Sequence, residues 1–308
     1  MAVLARDMRK KFWFGTENRM QFITTPLQGA DVSSQNWSEG GVGLNGGGFQ
    51  LGSFGSHKSY IFEWPASSTL EEASLMSAYA SGTYGRGLIY FVDPLIYERN
   101  ILPEMWADPS IGIGYEGSSL VYGVTPTETP TSNWQVNNLP IRSAVYDLVG
   151  VTPGYRGAAD SLFIPIPEGY GLALGAIHSR TGSGRVMYLT QSTSGTVSSS
   201  AVQLPILSAS STNVVTTAVS GGDIAGVRLF VGKTNPLPGT VTLSALTARL
   251  FPLDKGISSV QRGPWVPGEG HSGCRFEGRP TNIRNTGVDG GQVSYAATFR
   301  EVGSWVNG

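Results

Sequence analysis

The chain has 308 residues, of which 40% are hydrophobic and only 14% are charged, against about 25% charged in an average domain. Its formal net charge of -1 gives no field that would gather nucleic acid, and no apolar run reaches the roughly 18 residues that a membrane-spanning helix needs. The 42 Gly and 18 Pro favour an all-β chain rich in turns, and the length favours two domains.

The first hundred residues are predicted to form strands with one helix among them. Residues 11–14 and 20–23 flank the turn-rich residues 15–18, which indicates a hairpin. Residues 39–55 are mostly Gly and small residues, and we expect either a flexible loop or a long β-arm. Single apolar side chains are spaced through this segment: Val42, Leu44, Phe49, Leu51 and Phe54.

Two apolar runs enclose the clearest helix signal. Residues 59–64 are aromatic and β-branched, which predicts a buried strand, and the continuous apolar run at 87–92 predicts a central strand. Between them, Ser68 with Glu71 or Thr69 with Glu72 has the spacing of a capping box. We therefore expect one helix of about 12 residues, which ends at a glycine, Gly82.

From about residue 101 to 250 the chain changes to short alternating segments separated by clusters of Pro, Gly, Ser and Thr. This pattern is typical of a β-sandwich or jelly roll. The turn at 181–184 predicts a hairpin between two of these strands. The strand candidates are residues 143–148, 161–166, 170–178, 185–190, 227–231 and 240–250.

The tail resembles the opening of the chain in composition and ends in an alternating strand at 293–302. We therefore predict a discontinuous domain built from residues 1–100 and 251–308. Residues 101–250 are predicted to form a second, inserted domain of jelly-roll or galectin-like β-sandwich type.

A short stretch near the C-terminus has the residue types of a reactive site: Glu269, His271, Ser272 and Cys274. A nucleophilic cysteine needs a base held in a fixed orientation, and residues two or three apart in a loop rarely align in that way. Zinc sites usually take four ligands, whereas this chain has one Cys and three widely separated His. The sequence therefore predicts no metal site and no catalytic cysteine. In the alternative interpretation, Cys274 is a small hydrophobic residue where a glycine loop enters a strand.

Cofactor and ligand sites were sought in the same way. Residues 41–46 match the pattern G-x-G-x-x-G, but no helix follows, so we expect no dinucleotide site and no cofactor. Trp134 lies in a polar segment and Tyr155 is adjacent to Arg156. Each aromatic ring is either part of the sandwich core or a platform on which a sugar stacks.

Several segments resemble minor tail proteins of siphophages that infect actinobacteria, and in arrangement they are similar to distal tail proteins. The resemblance covers nearly the whole chain and is loosest between residues 110 and 240. It is carried by the Phe14-Gly15 opening, the glycine-rich arm, the capped helix, F-V-D-P at 91–94, N-I-L-P at 100–103, residues 264–276 and the ending R-E-V-G-S-W at 300–305.

The resemblance implies a tail-tube-like β-sandwich with one flanking helix, into which a jelly roll like a carbohydrate-binding module is inserted. It implies a homohexameric ring at the distal end of the virion tail, assembled in the host cytoplasm. The implied partners are the tail tube protein and the tip or baseplate hub protein, with the tape measure protein and a host cell-wall glycan as further candidates. Neither nucleic acid nor membrane insertion is expected.

Three hypotheses follow for the function. The first is a structural, non-enzymatic ring component whose glycine-rich arm contacts a neighbouring subunit. The second is a glycan- or receptor-binding tail protein that acts through its jelly roll, with Trp134 and Tyr155 as the candidate contacts. The third is a hydrolase, for which no local pair of acidic residues has the required spacing.

Overall fold

The computed structural model describes residues 11–27, 31–42, 48–85, 87–92, 99–110, 124, 126–136, 139–155, 161–207, 215–219, 221–261, 265–271, 273–285 and 292–301. Across these residues the protein is mainly β, with antiparallel sheets, so the predicted fold class is confirmed. The jelly-roll topology stays a prediction.

Seventeen strands and three helices are named here in chain order. The strands are β1 (Lys11–Thr16), β2 (Arg19–Thr24), β3 (Asp31–Val42), β4 (Gly48–Thr69), β5 (Tyr90–Val92), β6 (Thr127–Val136), β7 (Leu139–Asp147), β8 (Leu162–Pro165), β9 (Tyr170–Gly182), β10 (Gly184–Ser192), β11 (Val202–Gln203), β12 (Thr217–Val219), β13 (Ile224–Lys233), β14 (Gly239–Pro252), β15 (Cys274–Phe276), β16 (Thr281–Asn285) and β17 (Gln292–Glu301). The helices are α1 (Leu70–Ala80), α2 (Glu104–Ala107) and α3 (Ser258–Gln261).

The chain divides into two compact units. The larger unit takes in residues up to 23 and residues 89–272, and the smaller unit takes in residues 24–88 and 273–306. Both the opening and the closing parts of the chain therefore contribute strands to the smaller unit. Its boundaries differ from those of the predicted discontinuous domain, because residues 1–23, 89–100 and 251–272 belong to the larger unit.

Two sheets of the larger unit share one hydrophobic core. The four-stranded sheet has the order β11-β10-β13-β8, and the five-stranded sheet has the order β12-β9-β14-β7-β6. Val186 and Leu229 from the first sheet and Tyr146, Leu172 and Leu243 from the second belong to the same buried cluster. Burial of such side chains contributes about 1.5–3 kcal/mol each, and it is this shared core that stabilises the pair of sheets.

The predicted hairpin at residues 181–184 is wrong, because its two flanking strands lie in different sheets. Gly182 of β9 pairs with Gly239, whereas Gly184 of β10 pairs with Lys233. The chain therefore crosses between the sheets at Ser183, whose buried hydroxyl donates to the carbonyl of Leu237 at 2.5 Å. Gly182 has φ +54°, a left-handed conformation that favours glycine. A chain that crosses between sheets can need this conformation just as a hairpin turn does, so the glycine is compatible with either.

Of the apolar run at 87–92, predicted as a central strand, Tyr90–Val92 is strand β5. Among the described strands, β5 lies at the end of the three-stranded order β2-β1-β5. All three of its residues are buried. Tyr90 packs edge-on against Phe163 with ring centroids 5.0 Å apart, and Phe91 stacks on Phe12 at 5.7 Å. The residues of β5 are all apolar because side chains from the rest of the unit cover both faces of this strand.

The smaller unit is a sheet of order β15-β17-β4-β3, with β16 also paired to β17 and with α1 in contact with β4 and β17. The predicted alternating strand near the C-terminus is confirmed as β17. Its buried residues include Tyr295, which stacks on Trp64 of β4 with ring centroids 4.8 Å apart. Residues 59–64 are buried only at alternate positions, since Ile61 and Glu63 are exposed.

The predicted helix α1 is confirmed, with the second of the two possible capping boxes. The amide of Glu72 donates to Thr69 Oγ1 at 3.2 Å, and the amide of Thr69 donates to Glu72 Oε2 at 3.0 Å. The other carboxylate oxygen of Glu72 accepts from the amide of Thr24 at 2.9 Å. One carboxylate therefore caps the helix and also fixes the end of β2.

Candidate functional site

Glu269 and His271 of the apparent reactive stretch have structural roles. Glu269 forms an ion pair with Arg99, and its amide donates to the carbonyl of Asn100 at 2.9 Å. The ring of His271 stacks on Phe91 with centroids 3.7 Å apart, and its Nε2 lies 2.8 Å from the Phe91 carbonyl oxygen. Ser272 lies outside the described residues. Glu269 and His271 thus hold loops in place.

Cys274 opens strand β15 and is fully buried. Burial raises the pKa of its thiol, with a further contribution from the negative charge of Glu301, so the reactive thiolate is disfavoured. Its neighbour Arg275 is exposed, as the alternation of a strand requires. This placement fits the interpretation of Cys274 as a small hydrophobic residue.

Neither a metal site nor a membrane-spanning helix is found among the described residues. Within the described ranges, no group of three or more His, Cys, Asp or Glu side chains is arranged to hold a metal ion. None of the helices in that part of the chain has the length and hydropathy to cross a membrane.

Asn100 joins three backbone segments of the larger unit. Its side-chain amide donates to the carbonyls of Leu246 at 3.0 Å and Val266 at 3.1 Å, and its Oδ1 accepts from the amide of Ala248 at 3.0 Å. Asn100 has no exposed surface. The next amide, that of Ile101, donates to the carbonyl of Ala248 at 2.9 Å. Asn100 therefore satisfies backbone groups of β14 and of the loop after α3 that would otherwise be buried without partners.

Two glycines make the close contact at this Asn100 junction possible. The amide of Gly270 donates to the carbonyl of Leu102 at 3.0 Å. A Cβ on Gly270 would lie 1.7 Å from the carbonyl oxygen of Ile101, and a Cβ on Gly268 would lie 2.3 Å from that of Leu102. The glycines of the sequence P-G-E-G-H thus serve the close approach of two backbones rather than chemistry.

Gly270→Ala is expected to lower the free energy of unfolding by about 3 kcal/mol, because the new methyl group forces one of the two backbones to move. Urea unfolding followed by circular dichroism measures the change. Gly222→Ala is the matched control, since a Cβ there meets nothing within 4 Å. Equal stability of the two variants would contradict the predicted close approach.

The aromatic residues proposed as sugar contacts lie in different settings. Trp134 is part of β6, and its side chain lies outside the described part of the structure. Tyr155 is half-buried, with its ring centroid 5.6 Å from that of Phe230, and it packs against a small cluster with Met187 and Leu189. A role for either ring in glycan binding stays a prediction.

The predicted flexible loop or β-arm has the backbone of a β-arm where the structure describes it. Strands β3 and β4 pair from Asp31↔Ile61 out to Val42↔Gly48. Among the described pairings, β17 accompanies β4 only from Ser59 onward. In the described pairings, residues 34–42 of β3 and 48–58 of β4 form a two-stranded ribbon, which we call the β-ribbon. Eleven residues of strand extend about 35 Å.

The predicted arm residues lie along the β-ribbon. Val42 ends β3, and Phe49, Leu51 and Phe54 belong to β4, although the positions of their side chains are outside the description. Leu44 falls on residues that are not described. A contact of these residues with another subunit stays a prediction.

Comparison with family models, with curated proteins and with solved structures finds no match for this chain.

A polar network missed by sequence reasoning connects the β1–β2 turn to the four-stranded sheet. Arg228 of β13 is buried, forms an ion pair with Glu17, and donates from Nε to Gln191 Oε1 at 2.7 Å. The side-chain amide nitrogen of Gln191, Nε2, donates in turn to Asn18 Oδ1 at 2.7 Å. The hydroxyl of Tyr90 donates to the other oxygen of Glu17 at 3.3 Å. We call this set the Glu17–Arg228 network.

A small pocket lies beside His271, between Phe91, Ile101 and Pro165. The volume of this pocket is about 20 Å³. That volume holds about one water molecule, whereas small-molecule ligands occupy roughly 300 Å³ or more. This pocket therefore does not suit a sugar ligand.

Proposed function

We propose that this protein is a structural virion component, a ring protein at the distal end of a non-contractile phage tail that joins the tail tube to the tip. The observation that carries the proposal is the β-ribbon, for which the described pairings are those between β3 and β4. The proposed partners are other copies of the chain, the tail tube protein and the tip hub protein. No catalytic group is required for this role.

The backbone of the β-ribbon favours pairing with another chain. An isolated two-stranded ribbon is at best marginally stable in water, and the outer edges of such a ribbon can pair with another strand. Natural edge strands block such pairing with charges and proline. The ribbon segments contain only two Asp, Glu, Lys or Arg residues, Glu39 and Lys58, and no proline. A second copy of the chain would supply a further strand partner, and repetition of that contact would close a ring.

The Asn100 junction gives further support to the resemblance. Two of the segments that carry it, N-I-L-P at 100–103 and residues 265–271, are hydrogen-bonded to each other although they are far apart in sequence. The two segments depend on each other for their backbone hydrogen-bond partners.

Removal of residues 39–55 tests the proposal. Because these residues extend beyond the part of β4 that pairs with β17, we expect a chain that folds normally but no longer forms rings. Electron microscopy and sedimentation measure assembly, and circular dichroism checks folding. Val149→Ser/Leu237→Ser is the control, since it removes two exposed apolar side chains, 68% and 64% accessible, from elsewhere on the surface. Ring formation by the deletion variant would overturn the assigned role of the β-ribbon.

A further inference from the structure

Two arginines of the larger unit converge on one neutral oxygen. Arg185 Nε donates to Gln203 Oε1 at 3.0 Å, and Arg180 Nη1 lies 3.5 Å from the same oxygen. Arg180 belongs to β9 of the five-stranded sheet, whereas Arg185 and Gln203 belong to β10 and β11 of the four-stranded sheet. The cluster thus connects the two sheets at the edge that β11 forms.

Among the described residues, these two arginines have no acidic partner, in contrast to three other arginines of the chain. Arg99, Arg142 and Arg228 each form an ion pair with a glutamate. Within the described residues, neither Arg180 nor Arg185 has a carboxylate within ion-pair distance. Two like charges around a neutral amide repel each other, so a bound anion would be favoured at this position.

The donors of the cluster are partly fixed and partly open. Nη1 of Arg185 donates to the carbonyls of Gly182 at 2.9 Å and Gly184 at 2.7 Å, which together with Gln203 hold the guanidinium in place. Nη2 of Arg185, and Nε and Nη2 of the exposed Arg180, have no acceptor among the described residues. A guanidinium carries five N–H groups in a planar fork, which matches the two oxygens of a carboxylate or phosphate.

His178 lies near the two arginines but adds no positive charge to the cluster. It is buried, with Nδ1 3.3 Å from the carbonyl oxygen of Ala176. Burial lowers the pKa of the imidazole, and the charge of Arg180 lowers it further, so the ring is neutral near pH 7. The positive charge of the cluster therefore comes from its arginines.

We propose that Arg180, Arg185 and Gln203 form a binding site for an oxyanion, a carboxylate or phosphate group carried by a ligand of this tail protein. Arg185 is the preorganised half of the site, and exposed Arg180 closes on the anion from the other sheet. In the absence of ligand, Gln203 Oε1 takes the place of an anion oxygen. The site lies on different residues from the β-ribbon, so anion binding and ring assembly can fail independently.

Calorimetric titration of the full-length protein tests the site with two probes, inorganic phosphate and a trisaccharide of uronic acid. We expect one-to-one binding of at least one probe, weakened 10-fold or more in Arg180→Gln/Arg185→Gln. Arg142→Gln is the matched control, an exposed arginine that has a glutamate partner, and it should bind as the wild type does. Binding of the uronic acid alone indicates a sugar-acid ligand, and binding of phosphate alone indicates a phosphate-bearing one. No binding of either probe, or equal loss in the control, would overturn the proposal.

Gln203→Glu gives a second test that does not remove either arginine. The new carboxylate occupies the position of the amide oxygen between the two guanidiniums, so it should act as an internal competitor. We expect this variant to lose probe binding by 10-fold or more and to melt at a higher temperature than the wild type. Probe binding as tight as that of the wild type would show that the anion does not bind between these arginines.

Discussion

Asn100→Leu is expected to lower the free energy of unfolding by about 3–5 kcal/mol. Leucine has a similar volume but cannot hydrogen-bond, so the buried amide of Ala248 and the carbonyl of Val266 lose their side-chain partner. Each buried polar group left without a partner costs about 1–3 kcal/mol. The carbonyl of Leu246 is affected less, because it also accepts from Trp265 Nε1 at 3.2 Å. Equilibrium urea unfolding measures the loss.

The control for this variant is Asn235→Ala. The Oδ1 of Asn235 accepts from the amide of Leu237 at 3.0 Å, but this bond is exposed and water replaces it easily. We expect a change of about 0.5 kcal/mol or less for the control. If Asn100→Leu lowered the free energy of unfolding as little as Asn235→Ala, the hydrogen bonds of the Asn100 junction would contribute little to stability.

Glu17→Ala is expected to destabilise the protein by about 2–4 kcal/mol. It leaves the guanidinium of Arg228, only 6% exposed, without its counter-charge, and loss of one partner of a buried pair costs roughly 3–5 kcal/mol. The lower range applies because the Glu17 side chain is 31% exposed and part of its interaction is screened by water. Arg228 keeps its bond to Gln191 and its position 5.3 Å from the centroid of Phe163, which limits its escape to solvent.

A matched pair at the surface provides the comparison. Glu128 and Arg142 form an ion pair whose arginine is 71% exposed, and Glu128→Ala should change stability by about 1 kcal/mol or less. Glu17→Ala/Arg228→Leu should recover most of the loss of the single variant, because the double change removes both charges. A double variant as unstable as Glu17→Ala would mean that shape rather than charge dominates this site.

The Glu17–Arg228 network is also relevant to the proposed role as a structural ring component. It fixes the β1–β2 turn to the four-stranded sheet through two side chains of the turn, Glu17 and Asn18. A structural component that transmits load gains from such cross-links, because side-chain bonds between distant segments resist local opening. The sequence offered no signal for it, since Glu17 lies 211 positions from Arg228.

The β-ribbon and Cys274 were predictable from the sequence, whereas the arginine cluster was not. The glycine content of residues 39–55 predicts an extended, poorly packed segment, and the backbone of the β-ribbon agrees with the arm alternative. Cys274 was expected in a strand from the alternation with Arg275, and β15 begins there. The convergence of Arg180 and Arg185 on Gln203 was not expected, because nothing in a local pattern says that β11 returns to lie beside β10.

The sequence by itself determined several of the strands, where helix α1 begins and which residues of β17 face a core, since these properties follow from local periodicity and from a capping box at residues 69–72. Only the tertiary structure decided which strands pair: β10 with β13 instead of β9, β5 at the end of a sheet, and the segment at Asn100 against β14. The physical reason is that backbone N–H and C=O groups are chemically the same in every strand. A pattern of period two therefore specifies which face is buried, but the choice of neighbour depends on the packing of side chains that are distant in the chain.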